Sequence, residues 1–449
     1  MSKVLTLVFG LVVSLSSVAS AVERHVVVIT IDGLPSSYFN DPHASLPVIR
    51  GLAKSGVAAV DGMQVSNPSV TWPNHTTLMT GVHPETHGVL FNGGLERSSV
   101  TKAVHVNPKK TQQELVKVPL LFDVIKEAGL TSAAINWPCT RGSTSIDDNF
   151  PDVPDEIQHS SPRLVKELTE SGVLRHFKDG GSIVRDEVWT DAACHVIRQR
   201  KPRLLAFHLL NLDSTHHKYG PNSAPGYTAA ALCDAMVGRV VKAIDDAGLR
   251  DRTTIFVVAD HGFAAIQKSI SPNAVLRREG LITVEKGKIT SARAMVIPEG
   301  GTGLVYLTDP ETATQDAETV RRLFQGAEGI VAVLGPDDFA RYHMPTPATH
   351  KDMANLILVA KDGYTVGGST AGDEFVVENK AGNTGSHGFV STEPKMNAIF
   401  VASGSGIKPG VKLKSLDNSD VAPTAARLLG VPLKQATGRI LTELLAEGD

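Results

Sequence analysis

His25-Val-Val-Val-Ile-Thr-Ile31, followed by Asp32 and Gly33, is the segment from which the architecture of this 449-residue chain is best predicted. A continuous run of apolar, mainly β-branched residues indicates a strand that is buried on both faces, as strands of a parallel sheet are. The pair Asp32-Gly33 is typical of a turn. The segment therefore predicts a strand of a parallel sheet that has an acidic residue at its carboxyl end.

The same pattern recurs along the chain, because apolar strands alternate with helical segments. Further strands are predicted at 132–136, 203–210 and 253–259, and helices at 120–128, 186–199 and 227–247. This alternation predicts an α/β fold with a doubly wound, mainly parallel sheet. Ligands of such sheets bind at the carboxyl ends of the strands.

The pattern changes in the second half of the chain. Between residues 264 and 382, shorter strands at 303–307 and 355–359 surround one predicted helix. We interpret 264–382 as an inserted, smaller α+β subdomain. The α/β catalytic core then comprises residues 22–263 and 383–449.

The N-terminus has the three parts of a secretory signal peptide. Lys3 supplies positive charge, residues 4–18 are apolar, and Ala19-Ser20-Ala21 matches a cleavage site. We expect residues 1–21 to be removed and the protein to be periplasmic or secreted. The alternative is an uncleaved anchor, although the run is shorter than the ~20 residues that a membrane span needs. We expect no membrane span after removal of the signal.

Charge and cysteine content exclude some classes of function. The 44 Lys and Arg residues nearly balance the 47 Asp and Glu residues, so no nucleic-acid-binding surface is evident. This charge balance does not argue against a small anionic substrate that is held by metal ions. The absence of a C-x-x-C motif argues against a cysteine zinc site. Cys194 and Cys233 either form a disulfide or, with Cys139, are buried free thiols; the sequence leaves both open.

Acidic residues and histidines recur where predicted strands end or glycine-rich loops begin. They are Asp32, Asp213, His217, Asp260, His261 and His387. Taken singly, each has an ordinary interpretation as a turn acid or a surface histidine. Taken together at one edge of a parallel sheet, they predict a metal site, and mixed Asp and His ligands suit Zn²⁺ or a similar divalent ion.

Thr71 is the candidate nucleophile. It lies in Thr71-Trp72-Pro73, and a proline suits the first turn of a helix. A hydroxyl at a helix N-terminus lies beside backbone N–H groups that favour a phosphate. A metal ion lowers the pKa of such a hydroxyl and makes it nucleophilic. The alternative is that Thr71 only caps the helix.

Together these motifs resemble the nucleotide pyrophosphatase/phosphodiesterase family of the alkaline phosphatase superfamily. The resemblance rests, in the family's order, on Val28-Ile-Thr-Ile-Asp32-Gly33, Thr71-Trp-Pro-Asn-His75 with Thr80-Gly81, Pro84-Glu-Thr-His-Gly88, Asp213 to Pro221, Asp260-His261-Gly262 and His387-Gly388. These segments are spread over most of the mature chain. The resemblance implies a fold of the alkaline phosphatase type.

The resemblance also implies residue roles. It implies two Zn²⁺ per chain, one held by Asp213, His217 and His387 and the other by Asp32, Asp260, His261 and the Thr71 oxygen. It implies that Asn92, in Gly88-Val-Leu-Phe-Asn92, helps to bind a phosphoryl oxygen, although Asn92 can also be a turn residue. It implies that Trp72 packs against a nucleobase or another leaving group, or else only lines the pocket.

The implied function is a secreted two-zinc phosphodiesterase or nucleotide pyrophosphatase, a metal-dependent phosphoric diester hydrolase. Thr71 would attack phosphorus, and water would hydrolyse the resulting phosphothreonine. The expected partner is a small-molecule phosphodiester or nucleotide substrate. The segment 139–176 contains no tyrosine for a second stacking face, which weakens the case for nucleotides specifically.

Several alternatives use the same scaffold. A phosphate monoesterase would use the same metals and nucleophile with an added cation, for which Arg141 is a candidate. A phosphonate hydrolase and a non-catalytic binding protein also stay open. A sulfatase is disfavoured because Cys139-Thr-Arg141 lacks the required proline, and a phosphoglycerate mutase conflicts with the predicted signal peptide.

Overall fold

The computed structural model describes residues 23–152, 156–178, 180–379 and 382–447. The predicted signal peptide, residues 1–21, lies outside the described residues. Within the described ranges, no helix combines the length and apolar character needed to cross a membrane.

A sheet of eight strands forms the centre of the molecule. In order across the sheet, the strands are Lys412–Leu413, Val57–Ala59, Phe400–Gly404, Thr253–Val258, His25–Ile31, Leu204–Leu209, Ser132–Trp137 and Asp148–Pro151. The strand His25–Ile31 runs parallel to both of its neighbours. Phe400–Gly404 is antiparallel to both of its own. The predicted α/β fold with a mainly parallel sheet is confirmed.

Helices cover this sheet in two groups. One group comprises Pro47–Lys54, Ser182–Arg200, Asn211–Tyr219 and Ala224–Asp246, and the other Thr71–Thr80, Leu121–Glu127 and Val421–Leu429. All seven residues of His25–Ile31 are buried as a result. Burial on both faces explains why the strand is continuously apolar rather than alternating.

The stretch predicted as an insertion contains a second, antiparallel sheet. Its strands are Ala294–Pro298, Thr302–Leu307, Leu356–Ala360 and Ile330–Leu334, packed with the helix Ala313–Phe324. A further sheet pairs Ala264–Ile270 with Gly363–Val366, Val376–Glu378 and Gly385–Ser386. The limits 264 and 382 stay a prediction.

The remaining elements are short. The paired strands are Met63–Gln64 with Leu416–Asp417, Gly94–Arg97 with Val104–Asn107, and Ile282–Glu285 with Lys288–Ala292. The helices are Pro84–His87, Gln112–Leu115, Glu156–His159, Pro162–Glu170, Pro272–Arg278 and Pro336–Phe339. Single 3-10 turns are Ser36–Phe39, Val173–His176, Arg250–Arg252, Ala340–Tyr342, Pro394–Met396, Asn418–Asp420 and Thr442–Leu444.

The second sheet supports the loop that carries Asn92. Leu90 and Phe91, just before Asn92, share a buried apolar cluster with Leu304 and Tyr306 of that sheet. Such packing fixes the loop because protein interiors are close-packed.

The three cysteines are buried and free in the structure, so Cys194 and Cys233 do not form a disulfide.

Candidate active site

The predicted acidic residues lie at one edge of the main sheet, but on different kinds of element. Asp32 directly follows its strand, and Asp260 follows the next strand by two residues. Asp213 differs from the prediction: its strand ends at Leu209, and Asp213 lies in the first turn of the helix Asn211–Tyr219. The helix begins at once, so Asp213 and His217 share one helical face at i, i+4 spacing. His217 Nε2 lies 3.4 Å from Asp213 Oδ1.

Five of the predicted ligands converge on one space, and the sixth residue, His217, adjoins them through Asp213. Two groups have ligand atoms that all lie within 4.8 Å of one another, namely Asp32, Asp260 and His261, and Asp213, His261 and His387. His261 Nε2 is 3.3 Å from Asp32 Oδ1 and 3.4 Å from Asp260 Oδ2. The His261 and His387 rings stack with centroids 3.8 Å apart. His261 therefore lies between the groups, whereas the family resemblance assigns it to one of them.

Three histidines are oriented in the same way, each by a backbone carbonyl. The Nδ1 atoms of His217, His261 and His387 lie 3.3, 3.0 and 3.0 Å from the carbonyl oxygens of Gly385, Gly262 and Ser69. A carbonyl oxygen only accepts, so each Nδ1 carries the proton. Each Nε2 then presents a lone pair, which is how histidines that bind metals are oriented.

The carboxylates have the chemistry of a cation site. Four buried atoms form no hydrogen bond, namely Asp32 Oδ1, Asp213 Oδ1, Asp260 Oδ2 and His261 Nε2. Burial and the neighbouring carboxylates raise the pKa of Asp32 well above its usual value. Burial likewise raises the pKa of Asp260 to about 7 and lowers the pKa of His261 to about 4. Buried, unpaired ligand atoms of oxygen and nitrogen fit a divalent ion such as Zn²⁺.

Thr71 begins the helix Thr71–Thr80, and Val70 occupies the N-cap position. The alternative in which Thr71 is the N-cap is therefore not what the structure has. The Trp72 N–H donates to Asn92 Oδ1 at 2.8 Å. This bond ties Asn92 to the N-terminus of the helix and leaves the Asn92 amide NH₂ as a donor.

A cavity of about 390 Å³ opens over Thr71, the predicted nucleophile. Its described lining residues are Asp32, Thr71, Trp72, Asn92, Pro108, Asp152, Leu210, Asp213, His217 and His387. The predicted nucleophile, the aromatic residue, Asn92 and four predicted ligands thus face one space. Arg141 is not among these lining residues; its Nη1 lies 3.3 Å from His159 Nε2.

The loop that precedes Thr71 is hydrogen-bonded to the loop that carries His387. The Ser69 carbonyl accepts from the Gly388 N–H at 3.1 Å as well as from His387 Nδ1. Gly388 has φ +76°, and a Cβ there would lie 1.5 Å from the Glu299 carbonyl oxygen. Only glycine allows this approach. The turn therefore holds His387 beside Thr71.

Sequence reasoning gave no role to three further residues at the site. His208 Nε2 lies 3.1 Å from Asp32 Oδ2. His75 Nδ1 donates to the Thr71 carbonyl at 2.9 Å. Asp152 lies in the cavity wall. His208 interrupts the otherwise apolar strand Leu204–Leu209, and this interruption could have marked it in the sequence. His75 lies in the quoted motif, and no local pattern marks Asp152.

Comparisons with known proteins show what the chain resembles. The family model described as type I phosphodiesterase / nucleotide pyrophosphatase matches residues 26–390. Human ectonucleotide pyrophosphatase/phosphodiesterase family member 1 is 24% identical over 406 residues, which is 90% of this chain but only 39% of that protein. Bovine bis(5'-adenosyl)-triphosphatase ENPP4 is 23% identical, covering 92% of this chain and 80% of that protein.

The fold also matches solved structures. Murine ectonucleotide pyrophosphatase / phosphodiesterase 5 superposes with a TM-score of 0.69 at 19% identity. The match covers 94% of this chain and 100% of the murine one. An inactive variant of that murine protein has been solved in complex with AMP. These neighbours agree with an α/β fold of the alkaline phosphatase type that carries an inserted subdomain.

Proposed function

The chain belongs to the type I phosphodiesterase / nucleotide pyrophosphatase family, and we propose that it is an exported, metal-dependent hydrolase of phosphodiester or pyrophosphate bonds. One observation carries the proposal. Three histidines present Nε2 lone pairs toward carboxylates that each have one oxygen without a hydrogen bond, and Thr71 lines the same cavity. A metal cluster beside a hydroxyl at a helix N-terminus is suited to phosphoryl transfer.

The proposed ligands form two sets. Asp213, His217 and His387 would hold one Zn²⁺, and Asp32, Asp260, His261 and the Thr71 oxygen the other. When bound, the ions would neutralise the buried carboxylates, lower the pKa of the Thr71 hydroxyl and stabilise charge on the leaving oxygen.

The chain's own residues would perform a two-step displacement. Thr71 Oγ attacks phosphorus, the bond to the leaving oxygen breaks, and a phosphothreonine forms. Water then breaks the Thr71–phosphorus bond, which releases phosphate monoester and restores the hydroxyl. The Asn92 amide and the Thr71 N–H would donate to a non-bridging oxygen. Trp72 would pack against a substituent of the phosphate.

Preference for diesters is supported by the cavity wall. Among its described lining residues there is no lysine or arginine to hold the extra oxygen charge of a monoester. Export is supported by the N-terminal pattern and by the prefix "ecto" in the names of the relatives. The proposed substrates are small phosphodiesters or nucleotides.

A paired assay tests the proposal. The purified protein with Zn²⁺ is given bis-p-nitrophenyl phosphate and p-nitrophenyl phosphate, and kcat/KM is compared. We expect a strong preference for the diester, loss of turnover in EDTA, and recovery with zinc. Unchanged turnover in chelator would refute the metal-dependent mechanism, and preference for the monoester would refute the diesterase assignment.

A further inference from the structure

A second cavity, of about 270 Å³, lies beside the loop that carries Asn92. Its lining includes five glycine and apolar residues of that loop, namely Gly88, Leu90, Phe91, Gly93 and Gly94. Asn92 itself lines the cavity over Thr71, and the two cavities share no described lining residue. The second cavity is therefore a separate space, which the proposed hydrolysis does not use.

The lining of this second cavity has an excess of positive charge. Its described lysines are Lys110, Lys117 and Lys351, and its carboxylates are Glu114 and Asp352. The Lys110 ammonium lies 3.2 Å from Glu114 Oε1, so these two charges neutralise each other. Lys117 and Lys351 are exposed, and within the described ranges neither ammonium lies at ion-pair distance from a carboxylate. Two lysines thus remain against one aspartate.

His350 adds a buried hydrogen-bond donor to the same lining. Its exposed fraction is 6%, and its Nδ1 accepts from the Asp352 N–H at 3.2 Å. An N–H only donates, so the proton of the neutral imidazole is on Nε2. Among the described residues this Nε2 has no hydrogen-bond partner, although the Gly88 carbonyl is nearby. Burial, and then the charge of Lys117, lower the pKa of His350 and so favour the neutral ring.

Two lysines without ion pairs and a donor without an acceptor together fit an anion. A buried N–H that lacks an acceptor is costly, and an oxygen of a bound ligand would remove this cost. Each ammonium offers three donors and a full charge, which suits it to phosphate. Positive charge in a recess also raises the local concentration of anions. The volume is close to the lower limit of about 300 Å³ for ligand pockets, so the ligand should be small.

We propose that this cavity is a second ligand site, which binds a small oxyanion with the chemistry of phosphate between Lys117, Lys351 and His350. The inference goes beyond the proposed hydrolysis, in which the reacting phosphate occupies the cavity over Thr71. The stem of Lys117 packs on the start of the loop, since a Cβ at Gly88 would lie 2.8 Å from Lys117 Cδ. A bound anion would therefore contact the loop that positions Asn92.

Calorimetric titration of the zinc-loaded protein with inorganic phosphate at low ionic strength tests the site. The comparison is with the double variant Lys117→Gln/Lys351→Gln, which removes both exposed charges. We expect the parent protein to bind one phosphate more per chain than the variant, in which binding to this site should be weakened by about tenfold or more. Equal numbers and affinities of bound phosphate in the two proteins would overturn the proposal, whether or not phosphate also binds beside Thr71.

A matched control separates the site from a general effect of surface charge. Lys408→Gln/Lys414→Gln also removes two exposed lysines, and neither of them lines the cavity. This variant should bind phosphate as the parent does. Far-UV circular dichroism and the melting temperature report that both double variants are folded. An equal loss of phosphate binding in the control would show a non-specific charge effect and would overturn the proposal.

Discussion

The two proposed ligand sets, an inner group (Asp32, Asp260 and His261) and an outer group (Asp213, His217 and His387), differ in burial. The side chains of Asp32, Asp260 and His261 are at most 1% exposed. His217 is 43% exposed, Asp213 13% and His387 12%, and all three line the cavity. An ion in the inner group would be enclosed by buried side chains and reach the cavity only beside Asp32 and Thr71, whereas one in the outer group would be more open to solvent. We therefore expect the inner group to govern metal retention and the outer group to govern exchange and turnover.

Removal of the proposed nucleophile should have the largest effect on activity and should not change the difference between the two ligand sets. Thr71→Ala should lower kcat by ~1000-fold or more, because the attacking oxygen is lost. Metal content, measured by mass spectrometry of the native protein, should stay at two ions per chain. Full turnover in this variant would rule out Thr71 as the nucleophile.

Damage to the inner group should be the next most severe. Asp260→Asn removes a buried charge that faces His261 and Asp32, so one ion should be lost and kcat/KM should fall by ~100-fold or more. Added zinc should not restore the rate. The check is zinc titration of activity together with metal content, and full rescue at modest zinc would contradict the special role given to the inner group.

Damage to the outer group should be milder. His217→Ala removes a half-exposed ligand, so kcat/KM should fall by ~10- to 100-fold and recover substantially with excess zinc. A loss as deep as that in Asp260→Asn, with no recovery, would remove the distinction between the groups. The same zinc titration measures both variants side by side.

The smallest expected effect concerns the N-terminus of the helix Asn211–Tyr219, which carries Asp213 and His217 of the outer group. Asp186 accepts from the N–H groups of Leu210 and Asn211, each at 2.9 Å, where the helix Asn211–Tyr219 begins. Burial raises the pKa of Asp186 from 3.8 to about 7. The folded state therefore retains a proton between those values that the unfolded state has released, so this residue makes the free energy of unfolding fall as pH rises from about 4 to 7.

Asp186→Asn removes that titration. We expect it to lower the free energy of unfolding by ~1–2 kcal/mol at pH 5, because one backbone donor loses its acceptor. We also expect a flatter pH dependence between pH 5 and 8 than in the parent protein. Urea unfolding at both pH values measures this, with the metal state held constant. An identical slope in variant and parent would show that Asp186 does not titrate in this range.

The inner group was the easier one to predict from sequence, for a physical reason. Asp32, Asp260 and His261 follow apolar parallel strands, and the carboxyl ends of such strands meet at one edge. Asp213 was expected at a strand end as well, but its spacing to His217 is that of a helix turn, and the helix begins at Asn211, two residues after the strand ends at Leu209.

Contacts between residues that are far apart in sequence could not be predicted from local sequence patterns. His208 meets Asp32 from the neighbouring strand, and Asp152 meets Trp72 across 80 positions of sequence. The packing of Leu90 and Phe91 on the second sheet is equally remote in sequence. Local propensity and periodicity carry no information about such pairings, so only the folded structure reveals them.

Anomalous diffraction at the zinc edge from crystals of the zinc-loaded protein tests the central claim most directly. We predict two peaks per chain, one within about 2.0–2.2 Å of ligand atoms from Asp32, Asp260 and His261 and the other within the same range of Asp213, His217 and His387. The inner peak should be the more fully occupied after brief exposure to chelator. A single peak shared through His261, or no peak at this edge of the sheet, would contradict the account.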